Sequence, residues 1–370
     1  MRILAVNALR LSGKRTAVGR HIEFLTREWS QKGCSFDKIA LFSPDPVTVD
    51  NLGTATPVEF YFPRVRIQRL LWEQIVLSRA AEAAAVLYCP AYTCPLLYRG
   101  KIVLANHGIF EGLPKEFSWL ARARTTPINR LSAQRADRVI ANSLSTKTDL
   151  MKYFGLPERR INLIYPAAHE LCFQYYPPDV IATWVARIFG QITPYIIFVG
   201  KLAKRRHVPN LIQAFAKMRR ELQLPHRLLI IGPNSSDIPL NELIAQAGGP
   251  EVVTYLQHVE MELLAKLYAG ADAYVLPTTH EGISQTMLEA MASGTPVLSV
   301  EHPALKEGGG DAVLALPTPS VENLAKGLTM LLTNPDLRAE YSRKGRERAA
   351  RFSWSSTARE TMEILDKISR

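Results

Sequence analysis

Apolar positions along the chain gather into short, unbroken runs rather than strict alternation. In the first half these runs are 3–6 (ILAV), 86–89 (VLYC), 101–107 (KIVLANH) and 138–143 (RVIANS). A helical pattern over 22–29 and helical or proline-rich stretches separate them. The second half repeats the scheme with 195–200 (YIIFVG), 227–232 (RLLIIG), 252–257 (VVTYLQ), 273–277 (AYVLP) and 295–300 (TPVLSV). Helical periodicity falls between them over 208–220, 239–247, near 261–268 and from about Ile283. Short apolar strands alternating with helices predict parallel sheets covered on both faces. Each half therefore reads as an open, doubly wound α/β domain. A length of 370 residues suits two domains better than one core. Residues 168–192, with Pro177 and Pro178, read as the linker, and a last helix starts near Trp354.

In such sheets ligands bind beyond the carboxyl ends of the strands. The loops to read are then 13–20, 106–108, 200–207, 232–236, 257–259 and 278–284. The stretch HEGISQTMLEAMASGTPV, 280–297, places Glu281 and Glu289 at the two ends of one short apolar helix. The first N–H groups of that helix lack partners and carry the positive end of its dipole. With Gly282 allowing close approach, they form a ready site for an anion or a sugar hydroxyl. Glu289 follows roughly 12 Å along the axis at about 1.5 Å per residue, so the two carboxylates could grip two ends of one elongated ligand. The blander alternative is a capping Glu281 and an exposed Glu289.

VGKLAKRRH, 199–207, puts Lys201, Lys204, Arg205 and Arg206 directly after a strand. Cations there suit a diphosphate, whose oxygens an arginine fork matches. LSGKRTAVGR resembles a phosphate loop only loosely, being neither GxGxxG nor GxxxxGKS. His107, at a strand end, could act as acid, base or donor. The chain has no D-x-D, and no His/Cys/Asp group has metal-ligand spacing. The expectation is a diphosphate held by side chains and helix ends, with no metal and no other cofactor.

Charge sharpens the picture. Residues 1–166 hold 24 Lys and Arg against 13 Asp and Glu, whereas 167–370 hold 21 of each, so the whole net charge of +11 lies in the first half. Such segregation points to an anionic partner: nucleic acid, an anionic membrane surface or a phosphorylated substrate. The chain starts with a short apolar run already interrupted by Arg2, and no run approaches the about 20 residues of a membrane span. A non-spanning, cytoplasmic protein is expected. Cys34, Cys89, Cys94 and Cys172 are too scattered for a disulfide framework and read as reduced, mostly buried thiols.

With these loops read, the sequence resembles family 4 glycosyltransferases, retaining enzymes of GT-B fold that use nucleotide-sugar donors. RTAVGRHIEFL looks like the family's TGVGRY loop, LLWEQIVL like its WEQ segment, and RADRVIANS like its "AD.vi..S". VGKLAKRRHVPNLIQAF is similar to VGTLEPRKNVPRLIEAF. PTTHEGISQTMLEAMASGTPV matches the PSxxEGFGLPxLEAMAxGxPV signature, with its E-x7-E pair. The resemblance covers nearly the whole chain. It implies two Rossmann-like domains facing across a cleft: an acceptor domain, 1–167, completed by a terminal helix at 353–370, and a donor domain, 193–352. Glu289 matches the glutamate on the ribose hydroxyls. Glu281 matches the one beside the donor sugar, with backbone N–H groups of Gly282, Ile283 and Ser284 around it. Arg205 and Arg206 fall where the family has an arginine and a lysine on the diphosphate. Lys201 lies in the same loop, His107 matches the cleft histidine, Gly19 the close-approach glycine, and Val259 a backbone contact to the base. The implied catalytic set is Glu281, His107 and Arg206.

The chain departs from the pattern at Arg206 (usually lysine), Ala17 and Ser284 (both usually glycine). The implied activity is transfer of a hexose from UDP-glucose, or second GDP-mannose, with retention. A dinucleotide oxidoreductase would need GxGxxG, which NALRLSG and VGKLAKR lack. A nucleic-acid-binding protein would interleave aromatics with its basic residues, whereas here they mix mainly with Leu and Ala, so no nucleic acid is expected. A non-catalytic nucleotide-binding relative is the distant alternative. For the acceptor, Arg64, Arg66, Arg69, Arg122 and Arg124 stand beside Leu70, Leu71, Trp72, Phe117, Trp119 and Leu120. That mixture suits an anionic membrane surface and a lipid-linked saccharide acceptor in surface polysaccharide biosynthesis. A soluble sugar or small molecule is the alternative.

Overall fold

The structure, a computed structural model, describes every residue except Lys14, Arg15, Arg64, Arg66 and 110–118, and over 119–125 it describes the backbone alone. The chain forms two compact units, Met1–Pro166 with Ser353–Arg370, and Ala167–Phe352. The first unit carries β1 (Ile3–Asn7), β2 (Lys38–Phe42), β3 (Val58–Tyr61), β4 (Val86–Cys89), β5 (Ile102–Asn106), β6 (Arg138–Ala141) and β7 (Ile161–Leu163). They form a seven-stranded sheet ordered β3-β2-β1-β4-β5-β6-β7, parallel throughout. The second unit carries β8 (Tyr195–Val199), β9 (Arg227–Ile231), β10 (Val253–Leu256), β11 (Ala273–Leu276), β12 (Val297–Val300) and β13 (Val313–Leu316). They are ordered β10-β9-β8-β11-β12-β13, again all parallel.

The apolar runs explain this. Every residue of β8 and β9 is buried, as strands covered on both faces require. Helices such as Val208–Leu222 and Val321–Thr333 lay Leu211, Phe215, Leu324 and Leu328 onto that sheet. In each sheet the order reverses once, between β1 and β4 and between β8 and β11. Beyond the carboxyl ends at those points the crevice of a doubly wound sheet lies.

Several boundaries differ from the sequence expectation. The strands β2, β3, β7 and β13 have no counterpart among the predicted runs; β3 is a half-exposed edge, and β13, the edge of the other sheet, is apolar in sequence but only partly buried. The first helix is Ala17–Lys32, beginning at Ala17 because the Thr16 side chain accepts from the Gly19 N–H. Residues 168–192, expected as a linker, are folded into the second unit. A helix Pro178–Phe189 buries Val185 and Phe189 there, started by Pro178 in its first turn. The last helix, Trp354–Ser369, belongs to the first unit. Trp29 Nε1 donates to the Ala358 carbonyl at 2.9 Å, and Trp354 stacks on Phe24 with centroids 4.7 Å apart. Cys89, Cys94 and Cys172 are buried thiols, and Cys34 is partly exposed.

Candidate functional site

In the second unit the loops after β8 and β11 flank the switch point, and they are bonded to each other. The Thr279 N–H donates to the Arg205 carbonyl at 3.0 Å, and Arg205 Nε donates to the His280 carbonyl at 3.1 Å. Arg206 Nε and Nη2 reach the same oxygen of Glu281, at 2.9 and 2.5 Å. Arg205 Nη2 stands 3.9 Å from that oxygen. Both guanidiniums are 12% exposed and Glu281 8%, so this is a nearly buried cluster. Two cations against one carboxylate leave a net positive charge, to which Lys201, exposed in the same loop, adds.

Two glycines make the close packing possible. Gly200 has φ +145°, and a Cβ there would stand 1.8 Å from Arg206 Nη1; Gly232 has φ +144°, and its Cβ would meet the Gly200 carbonyl at 2.0 Å. An L side chain rarely adopts either backbone conformation.

The helix bearing the second glutamate runs Gln285–Ala292, two residues later than expected. Ser284 is extended (φ −76°, ψ 112°) and its Oγ accepts from the Met287 N–H at 3.3 Å, an N-cap that sets the start. Glu281 therefore precedes the helix rather than capping it, and Glu289 lies in its second turn. Glu289 is fully buried, with Tyr268 Oη 3.5 Å from its Oε2. The exposed Glu289 of the blander alternative is thus ruled out. Tyr274 Oη shares a 2.8 Å hydrogen bond with Thr286 Oγ1, which stands 3.0 Å from Ser284 Oγ. Burial pushes the Tyr274 phenol well above its ordinary range. Gly282 and Ile283 are buried beside Glu281, and Val259 sits partly buried after β10.

In the first unit Gly19 lies in the first helical turn, where a Cβ would stand 2.7 Å from the Arg10 carbonyl. Its close approach is thus to the chain's own backbone. His107 follows β5, and its Nε2 donates to the Pro90 carbonyl at 2.8 Å. The His107 ring meets His21 edge-on at 5.2 Å. Burial holds His107 below the ordinary histidine range; burial and then the His107 neighbour hold His21 well below it. Sequence reasoning missed His21, and it missed the group around Glu73. That carboxylate, 4% exposed, accepts from Asn7 Nδ2 and Thr93 Oγ1, each at 2.9 Å. Burial raises its pKa. Gln74 donates to the Cys94 carbonyl at 2.9 Å and accepts from the Leu96 N–H at 2.8 Å. The WEQ motif thereby ties the end of β1 to the loop after β4. Its Trp72 is fully buried, with Nε1 donating to the Pro63 carbonyl at 3.2 Å. This corrects its expected place on an interfacial surface: the indole finds both its apolar packing and its acceptor inside the unit.

Two family models tile the chain. Glycosyltransferase Family 4 matches residues 18–169 and Glycosyl transferases group 1 matches residues 189–348. The chain belongs to the family 4 glycosyltransferases. The D-inositol 3-phosphate glycosyltransferase of Nocardia farcinica is 30% identical over 236 residues, 62% of this chain and 52% of that protein. The O-antigen chain mannosyltransferase B of Escherichia coli is 28% identical over 169 residues, 45% of this chain and 44% of that protein. This family 4 chain spans about half the length of the curated relatives it matches. Among solved structures, Anabaena HepE in complex with UDP-glucose superposes with a TM-score of 0.79 at 17% identity, covering 99% of this chain and 100% of that one. Two parallel doubly wound units in that correspondence are the GT-B fold.

Proposed function

We propose that this chain is a retaining, metal-independent glycosyltransferase that moves a hexose from a nucleotide sugar to a hydroxyl of a lipid-linked saccharide in surface polysaccharide biosynthesis. The observation that carries the reading is the Arg205–Arg206–Glu281 cluster at the carboxyl end of β8. It is a net positive, nearly dry site beside a capped helix start. There the departing nucleoside diphosphate would find its growing charge met by two guanidiniums and the helix N-terminus. A single well-placed donor of this kind is worth about 2.7–4 kcal/mol in a transition state. Glu281, held by Arg206, would stand beside the transferred sugar and Glu289 at the ribose. Backbone groups of Gly282, Ile283 and Ser284 would surround the donor, and Val259 would meet the base. Domain 1–167 with 353–370 would supply His107 and the acceptor, and 193–352 would hold the donor. UDP-glucose is the first choice of donor, supported by the HepE complex. GDP-mannose is the second, supported by the mannosyltransferase relative.

For the acceptor, Val65, Leu70, Leu71 and Ile75 are 47%, 47%, 48% and 48% exposed in the first unit, which carries the excess positive charge. Arg69 is exposed among them and lies 3.7 Å from Asp45. Arg64, Arg66 and Phe117 lie outside the described residues, as do the side chains of Trp119, Leu120, Arg122 and Arg124. Apolar side chains flanked by arginines suit the inner leaflet, each cation there contributing about 1 kcal/mol near anionic lipid. Among the described residues no helix is long and apolar enough to cross a membrane.

A donor screen that follows nucleotide release across UDP- and GDP-sugars tests the reading. Glu289→Ala is expected to weaken nucleoside diphosphate binding, and Glu281→Ala to lower turnover; unaltered affinity and turnover in both would sink it. Sedimentation with anionic and neutral liposomes at two salt concentrations tests the surface. Equal pelleting with both would leave a soluble acceptor as the better reading.

A further inference from the structure

Where the glycosyltransferase signature has Gly-Leu-Pro after its first glutamate motif, this chain has Ser284-Gln285-Thr286. Two of these three polar side chains have internal partners. Ser284 caps the helix through Oγ, and Thr286 bonds to Tyr274 and to Ser284. Gln285 differs. It is 9% exposed, and its Nε2 is buried without a hydrogen-bond partner. A buried amide N–H left unpaired is costly, and a leucine there would avoid the cost. Gln285 occupies the first turn of the helix, beside the N-terminal N–H groups that favour a phosphate. It also sits one turn before Glu289, on the same helical face, since positions i and i+4 are neighbours.

We propose that Gln285 reads the donor. Its side-chain amide donates to the phosphate oxygen nearest the ribose of the nucleoside diphosphate, between the helix start and Glu289. The proposal rests on the donor-site reading above and assigns one of its contacts to a side chain that departs from the family signature. Bound nucleotide would pair the orphaned N–H, so the amide would trade stability of the free protein for affinity.

The test uses the full chain, calorimetry with UDP and GDP, and then the matching monophosphate and free nucleoside of whichever binds. Gln285→Leu is expected to melt at the same or a higher temperature than the parent. It should bind the diphosphate and monophosphate about tenfold more weakly, with affinity for the nucleoside unchanged. Gln285→Glu, of the same shape but with the donor replaced by an anion, should lose more than the leucine variant. Unchanged nucleotide affinity in Gln285→Leu overturns the proposal, as does an equal loss on the free nucleoside, which would move the contact to the sugar. A parent protein that binds neither UDP nor GDP overturns the donor-site reading itself, a result separate from either of these.

Discussion

The nearly buried Arg206–Glu281 pair makes a quantitative prediction about the second unit. Replacing Arg206 by Met keeps most of the side-chain volume and removes both donors. Glu281, 8% exposed, would then face Arg205 Nη2 across 3.9 Å as its nearest cation. Breaking a buried pair from one side costs about 3–5 kcal/mol, because a desolvated charge is left behind. Arg205 places this case at the low end, near about 3 kcal/mol. Glu281→Gln leaves two guanidiniums facing a neutral amide, with a cost of similar size. The double variant removes both the attraction and the stranded charge, and replacement of a buried pair by uncharged groups is often close to neutral. Each single cost should therefore exceed the cost of the double variant by about 2–3 kcal/mol, so that the two singles are far from additive. Urea unfolding of the full chain, with hydrogen exchange of the β8 and β11 amides reporting the second unit separately, measures all three. Additive costs within about 0.5 kcal/mol would refute the argument, because they would mean the two side chains do not share a dry site. Arg206→Lys adds a control, since a lysine point charge cannot copy the paired Nε and Nη2 contacts and should recover only part of the stability.

Three further outcomes are expected. Transfer should persist in excess EDTA, because arginines and a helix end are assigned the diphosphate's charge; complete loss restored by manganese would overturn that assignment. His21 is held neutral by burial and by His107, whereas in the unfolded chain it takes up a proton below about pH 6.5. Its contribution is thus intact above about 6.5 and is lost as pH falls, by about 1.4 kcal/mol at one pH unit below. Thermal melts of His21→Phe should show a shallower loss between pH 7.5 and 5.5 than the parent, and an identical slope would contradict the reading. Gly232→Ala, at φ +144° with backbone 2.0 Å from the new Cβ, should cost well over the about 1–3 kcal/mol of backbone strain alone. Gly190→Ala, at φ +78° with nothing within 4 Å, supplies the comparison. Equal melting temperatures for the two would show that the loop after β9 yields without cost.

Much of the architecture was legible because parallel strands buried on both faces must be apolar end to end. The runs YIIFV and RLLII could hardly be anything but β8 and β9. Two edge strands escaped: β3, half-exposed and interrupted by Glu59, and β13, whose four apolar residues are only partly buried. Boundaries slipped where one side-chain cap decides them. Thr16 starts the first helix five residues before its apolar pattern begins, and Ser284 delays the donor helix by two. The proline pair at 177–178 was read as a break, yet Pro178 occupies a first-turn position where its missing N–H costs nothing. For the candidate site, spacing alone singled out Glu281, Glu289 and the basic loop. It could not show that Arg206 turns back onto Glu281, since that needs the two loops side by side. The network around Glu73 was invisible for a related reason: its partners Asn7 and Thr93 are 66 and 20 residues away.

The charge distribution carries a last lesson about where such sites can sit. All of the net positive charge lies in residues 1–166, yet the cluster suited to a diphosphate is built in the half whose charges cancel. Net charge acts at long range and is screened by salt over about 10 Å at 0.1 M. It can draw a protein toward an anionic surface, but it does not select a phosphate. Selection needs a local excess in a dry place, and two guanidiniums around one carboxylate provide it without altering the sum. Glu281 belongs to that design. Without it, two nearly buried cations would repel each other and turn outward to solvent. With it, they stay packed against Gly200 and the Thr279–His280 backbone. The two halves therefore differ in how charge is disposed: a net excess in the first, a cancelling sum with a local cationic cluster in the second.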